Sequence, residues 1–280
     1  MSGTLRVACV QLTSRSDKAA NLEKAEALVA RAAATGADVV VLPEKWNAIG
    51  DRDVLHAAAE TLEAGESVEA MARWARAHGI TLVGGSITER REGREKLSNT
   101  SIVFDSEGSI AGVYRKIHMF DVDVGGVSYR ESDREQPGDD AVLAGVGEVE
   151  LGLTVCYDLR FPELYRILAV RGAQLLTVPS AFTEVTGRAH WHVLVRARAI
   201  ENQAFVLAPN QVGEAPPEYR SYGHSLIVDP WGVVLGQAPD EECFVAADLD
   251  LERQRQVRAE LPSLANRRPG AYRWPEEARV

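Results

Sequence analysis

Gly36-Ala37-Asp38-Val39-Val40-Val41-Leu42-Pro43 returns in the second half of the chain as Gly172-Ala173-Gln174-Leu175-Leu176-Thr177-Val178-Pro179. Each copy holds a glycine that closes a helix, a short apolar run and a proline that stops it. Runs of this kind are strands buried on both faces. A second pair repeats in the same order: Ile102-Val103-Phe104-Asp105-Ser106-Glu107-Gly108 and Leu226-Ile227-Val228-Asp229-Pro230-Trp231-Gly232 each lead a strand into a hairpin turn. Two matches in one order predict a pseudo-twofold internal repeat built from two similar sheets. Each sheet needs a second apolar layer, most simply the other sheet, with helices outside. The expected fold is therefore α/β, a four-layer α-β-β-α sandwich, with residues 1–280 forming one domain.

The flanking segments fit this plan. Leu5 to Leu12 alternates as a strand, and Asp17 caps a helix that runs to Thr35. A second helix is expected from Ser67 to His78, closed by Gly79, followed by one buried strand from Ile80 to Ile87. Thr100 to Phe104 and Ser109 to Lys116 form the first hairpin. Ile117 to Asp140 is polar, rich in Gly and Asp and without clear period, and reads as a long functional loop. From Leu251 onward the charge density rises, and Pro262, Pro269 and Pro275 interrupt regular elements. Residues 251–280 are expected to be a tail that packs on a partner subunit.

Composition narrows the function. The 280 residues are 45% apolar and 26% charged, a globular balance. Acidic side chains outnumber basic ones by 41 to 31, a net charge of −10, which argues against a nucleic-acid partner. No apolar run approaches the roughly 18 residues of a membrane span, and the first residues lack a signal-peptide profile. Cys9, Cys156 and Cys243 are odd in number and widely spaced, so neither a disulfide framework nor a closed zinc site is expected. These features point to a cytoplasmic protein with free thiols.

Cys156 ends the strand Leu151 to Val155, just before the helix that Asp158 and Pro162 open and Gly172 closes. A cysteine on a strand-to-helix turn stands near free N–H groups and a helix dipole, where a thiolate and an oxyanion are both favoured. Cys9, mid-strand, and Cys243, in a terminal strand, read as ordinary packed cysteines. A nucleophilic thiol needs an acid–base partner. His118, His190, His192 and His224 are available, but His190 and His192 point to different faces of a helix and make no metal pair. Glu44, behind the strand stopped by Pro43, and Lys116, at the end of the hairpin, are better placed. Three reactive groups at three strand ends suggest one site.

Leu42-Pro43-Glu44, Tyr114-Arg115-Lys116-Ile117-His118 and Val155-Cys156-Tyr157-Asp158-Leu159-Arg160-Phe161-Pro162-Glu163 resemble, in order, the three signature segments of the nitrilase (carbon–nitrogen hydrolase) superfamily. The resemblance covers nearly the whole chain. It implies a Glu44–Lys116–Cys156 triad, supported by Glu131, and the sandwich fold. It also implies hydrolysis of a linear amide through a thioester, without a cofactor or metal. Tyr129-Arg130-Glu131-Ser132, Pro179-Ser180-Ala181-Phe182 and Ser221-Tyr222-Gly223-His224-Ser225 resemble the branch of deaminated glutathione amidases and ω-amidases, and lean to the former. The substrate expected is an amide of a small 2-oxo acid or a peptide-like anion, contacted by Tyr157, Phe182, Arg188 and His190. An N-carbamoyl amino acid amidohydrolase and an inactive interaction protein are the alternatives. Two departures from the branch, Trp46 and His192, are expected to alter the pocket. The resemblance further implies a homodimer or larger symmetric assembly.

Overall fold

Period-2 alternation in the first strand sets the layering. In the computed structural model, which describes residues 3–215 and 219–272, Val7 and Cys9 of β1 (Thr4–Gln11) enter one core and Ala8 and Val10 enter another. In β2 (Val39–Val41), Val39 and Val41 likewise join the first core and Val40 the second. The second core lies under α1 (Lys18–Ala33) and α3 (Glu66–His78), which contribute Leu28, Val29, Met71 and Trp74. A short α2 (Arg52–Ala58) lies between them in sequence. Asp17 caps α1 by accepting from Ala20 N at 3.1 Å, and Gly79 ends α3 in the left-handed region.

The first sheet continues through β3 (Thr81–Val83), β4 (Ile87–Glu89), β5 (Ser98–Phe104) and β6 (Ile110–Arg115). β1, β2 and β3 are parallel; β5 takes β3 and β4 along one edge and β6 along the other. A small hairpin, β7 (Asp121–Val124) and β8 (Val127–Arg130), leads into the second half. There β9 (Leu143–Val146), β10 (Val149–Leu153), α4 (Pro162–Val170), β11 (Leu175–Thr177), α5 (Glu184–Asn202) and β12 (Phe205–Ala208) repeat the plan. β10, β11 and β12 are parallel, as β1 to β3 are. β13 (Val212–Ala215) and β14 (Tyr219–Tyr222) form a separate ribbon, and β15 (Leu226–Val228) with β16 (Val234–Gln237) completes the second sheet. β17 (Cys243–Asp250) returns to pair along the whole of β1.

The larger core holds Val7, Val39, Val83 and Val103 of the first sheet with Leu151, Leu175, Val206 and Leu226 of the second. Tyr165 and Leu168 of α4 and Trp191 and Val195 of α5 extend it to the far side. The layers thus run helix, sheet, sheet, helix, with both repeats where the sequence placed them. Cys9 lies fully buried between the sheets, and burial raises its thiol pKa.

Three segments differ from expectation. The strand expected from Ile80 to Ile87 breaks into β3 and β4 at Gly84-Gly85-Ser86. The stretch from Ile117 is not all loop: Asp121-Val122-Asp123-Val124 alternates, and Gly125 and Gly126, both at positive φ, turn it back as β8. The tail begins with α6 (Leu251–Glu260), capped by Asp250 and docked on its own chain. Gln254 donates to Gln174 O and Gln203 O, and Arg258 to Gln203 O and Ala173 O. These bonds tie α6 to backbone carbonyls just beyond α4 and α5. Residues 273–280 of the expected tail lie outside the described residues.

The break at Gly85 positions the turn that carries Glu44. Ser86 N donates to Pro43 O (3.2 Å), Lys45 N to Ser86 Oγ (3.1 Å) and Trp46 Nε1 to Gly84 O (2.8 Å). Gly85 has φ +55, and a Cβ there would lie 2.0 Å from Pro43 O. Gly85→Ala is therefore expected to cost about 2 kcal/mol or more. Denaturant unfolding checks this; a loss below about 0.5 kcal/mol, the range of a neutral substitution, contradicts it.

Candidate active site

Glu44, Lys116 and Cys156 each follow a strand: β2, β6 and β10. Facing sheets bring the three strand ends together. Lys116 Nζ donates to Glu44 Oε1 at 3.1 Å and to both carboxylate oxygens of Glu131, at 3.0 and 2.8 Å. All three side chains are buried. Asn99 Nδ2 donates to Glu44 Oε1 and Ala181 N to Glu44 Oε2, each at 2.8 Å, so both oxygens are oriented. Gln211 Nε2 holds the Glu44 carbonyl at 3.0 Å. Glu131 opens a short 3-10 turn after β8 and also accepts from Phe120 N at 2.8 Å.

Cys156 has φ +46, a left-handed conformation that an ordinary side chain adopts only when its surroundings impose it. Its N–H donates to Pro179 O at 2.8 Å. The next turn is fixed at Asp158, fully buried, which accepts from Val155 N (2.8 Å), Tyr114 Oη (2.6 Å) and His118 N (3.2 Å), with His118 Nδ1 at 2.7 Å. Arg198 of α5 donates twice to Leu159 O, at 2.9 and 2.6 Å. These bonds hold the Cys156 turn on both flanks.

The thiol shares a hydrogen bond with Glu44, and both burial and that carboxylate push its pKa well above the usual thiol range, against the pull of Lys116. Burial and Glu44 thus favour the protonated thiol. For Lys116, burial favours the neutral amine, but Glu131 and Glu44 outweigh it and hold the ammonium. Burial likewise opposes ionisation of Glu131, and Lys116 and Lys45 overcome it, so its carboxyl pKa is lowered.

A cavity of about 380 Å³ opens beside these groups. Glu44, Lys116, Glu131, Cys156, Tyr157 and Phe182 all line it, as do Arg160, Arg52 and Arg134. The guanidinium of Arg160 stands 5.2 Å from the centre of the Phe182 ring and 5.9 Å from that of Tyr157. Arg188 and His190 are not among the lining residues. Arg188 is exposed on α5 and paired with Glu184 one turn back at 2.6 Å, while His190 is exposed and 3.2 Å from Arg160. Trp191 and Val195 of α5 enter the core, while Arg188 and His190 lie on the part of the helix left open to solvent. Trp46 is fully buried against Trp74 in the outer core, and His192 meets Gln237; neither lines the cavity. Sequence reasoning missed Asn99, Asp158, Arg160 and the Ala181 N–H. Asp158 and Arg160 lay inside a signature segment, so a signal existed for both. Among the described residues no group of three His, Cys, Asp or Glu side chains is placed to hold a metal, and no helix is long and apolar enough to cross a membrane.

The carbon–nitrogen hydrolase family model matches residues 6–259. The chain is 41% identical over 270 residues to the ω-amidase NIT2 of Mus musculus, covering 96% of this chain and 97% of that one. Among solved structures it resembles the NitFhit protein of C. elegans, with a TM-score of 0.87 and 36% identity over 97% of this chain and 67% of that one. It also resembles Saccharomyces cerevisiae Nit3, a member of branch 10 of the nitrilase superfamily, with a TM-score of 0.85 and 35% identity, covering 92% of this chain and 94% of that one. The chain belongs to the carbon–nitrogen hydrolase family, within the nitrilase superfamily.

Proposed function

We propose that this enzyme hydrolyses the terminal amide of a small 2-oxo acid, as an ω-amidase, with Cys156 as nucleophile and Glu44 as general base. The observation that carries the reading is the buried contact of carboxylate, ammonium and thiol along one cavity that also presents a guanidinium. Glu44 takes the thiol proton as sulfur bonds to the amide carbon. The oxygen becomes an anion, met by Lys116 and the N–H of Tyr157 in the opening turn after Cys156. Glu44 passes its proton to nitrogen, the C–N bond breaks and ammonia leaves a thioester. Glu44 then takes a proton from water as the hydroxyl oxygen bonds to carbon. The C–S bond breaks, and Glu44 returns the proton to sulfur. Glu131 keeps Lys116 charged throughout.

Arg160 replaces Arg188 as the cation for the substrate's carboxylate, because it reaches the cavity and Arg188 does not. The relatives named ω-amidase favour a short amide. One observation favours the longer, peptide-like deaminated glutathione instead: the cavity lies within the range of about 300–1,000 Å³ typical of drug-sized ligands.

The assembly proposed is a homodimer or larger symmetric form of a single-domain chain. α4 and α5 pack together and leave Ile167, Val170, Val193 and Ile200 open, and Leu261 stands open in the tail. The three free thiols suit a reducing compartment, and we assign the protein to the cytoplasm.

Cys156→Ser is expected to abolish ammonia release while far-UV circular dichroism stays native, and turnover in that variant overturns the mechanism. If the triad acts as one unit, Glu44→Gln combined with Lys116→Ala loses little more than the poorer single variant; multiplicative losses contradict it. In a panel of amides, a higher kcat/KM for α-ketoglutaramate than for deaminated glutathione supports the short substrate, and the reverse supports the longer one. Arg160→Ala should raise KM for anionic amides about tenfold or more, the loss of one charge-assisted contact. Sedimentation at micromolar concentration should show at least two chains, and a clean monomer excludes the assembly.

A further inference from the structure

The cluster around Lys116 is larger than the reaction requires. Lys45, next to Glu44, is buried with φ +50, and its ammonium reaches Glu135 Oε1 at 2.5 Å and Glu131 Oε1 at 3.3 Å. Glu135 is buried as well, one 3-10 turn beyond Glu131, and its N–H donates to Glu131 O at 3.0 Å. A buried ion pair is costly to assemble, and this one stands against the reacting groups rather than in the apolar core. Glu131 Oε1 is therefore held from two sides, by Lys116 at 3.0 Å and by Lys45.

We propose that Lys45 is a positioning residue of the reaction: held by Glu135, it carries part of the charge of Glu131 and so leaves Lys116 available to Glu44 and the oxyanion. The proposal rests on the reading of the triad given above. Counting ionised groups shows what Lys45 contributes. Glu44, Glu131 and Lys116 without it carry one net negative charge, beside a thiol whose reaction generates an anion. Lys45 cancels that charge. Glu135 restores it only when ionised, and burial, working against the attraction of Lys45, pushes its carboxyl up to about 7. The charged and titratable groups facing Lys45 are Glu44 beside it on its own turn, Glu131 and Glu135 from the turn after β8, and Lys116 behind β6. Cys156, Arg52, Arg134 and Arg160 line the same cavity. Lys45 is oriented by its backbone as well, since its N–H donates to Ser86 Oγ.

A merely structural pair and a positioning lysine behave differently under substitution. If the pair only fills space, Lys45→Met and Glu135→Gln are equally damaging, and neither moves the pH profile. If Lys45 acts through Glu131, the two variants diverge. Lys45→Met removes a cation from the carboxylate cluster, so the acid limb of kcat/KM moves up by about half a unit or more. Its kcat falls about ten- to a hundredfold as Lys116 is drawn to Glu131, with KM little changed. Glu135→Gln leaves the lysine in place, keeps kcat within about threefold and does not raise the limb. The double variant Lys45→Met with Glu135→Gln removes the lysine together with its own carboxylate partner, and it should retain the raised limb of the single lysine variant even if the single variant fails to fold. An unmoved limb in the double variant overturns the proposal, as does equal loss of kcat in Lys45→Met and Glu135→Gln. Both results are distinct from failure of the triad itself, which shows as turnover in Cys156→Ser.

Discussion

A lysine ammonium withdrawn from water must be surrounded by opposite charge, and most of what lies near Lys116 follows from that demand. Burial alone favours the neutral amine. Glu44 and Glu131 prevent this, and each is in turn fixed by backbone or amide donors: Ala181 N–H and Asn99 for one, Phe120 N–H for the other. None of these groups is free to move without exposing another buried charge, so the ammonium is held in place before substrate arrives. That is the condition under which a donor stabilises a forming oxyanion at little reorganisation cost.

The site is also a joint between the two halves of the repeat. Glu44, Lys116 and Glu131 come from the first half, and Cys156 and the Ala181 N–H from the second. Asp158 of the second half is bound by Tyr114 and His118 of the first. Gln211 reaches across to Ser14 and to the carbonyl of Glu44. The two sheets therefore share an apolar core and, at one end, a polar network whose members belong to both.

The repeated apolar strands and their stops made the layering legible in the sequence, because strands buried on both faces leave little choice of partner. Glu44, Lys116 and Cys156 were legible for a related reason: each sits where a strong strand signal ends. Arg188 and His190 do not line the cavity; the faces of α5 contrast weakly, so the sequence alone does not show which of its residues reach it. Lys45 and Glu135 were invisible because charged residues far apart in sequence read as solvated side chains until the fold pairs them. The hairpin of β7 and β8 was obscured by the acids and glycines around it, although Asp121 to Val124 alternates. The tail helix α6 was hidden by its charge; its anchors, Gln254 and Arg258, bind carbonyls rather than bury apolar surface.

β17 pairs with β1 along its full length, so the first strand of the chain meets its edge partner only when the last strand is available. Gln11, at the end of β1, makes its side-chain bonds to Pro239 O, Glu241 O and Ser225, all from the second half. A chain made from its N-terminus therefore carries an open edge on its first sheet until β17 has been made. Unpaired sheet edges are where nascent chains associate wrongly, and contacts this distant in sequence close slowly. The strap that completes the first sheet thus also sets the order of assembly: the first half cannot be finished before the second has been made.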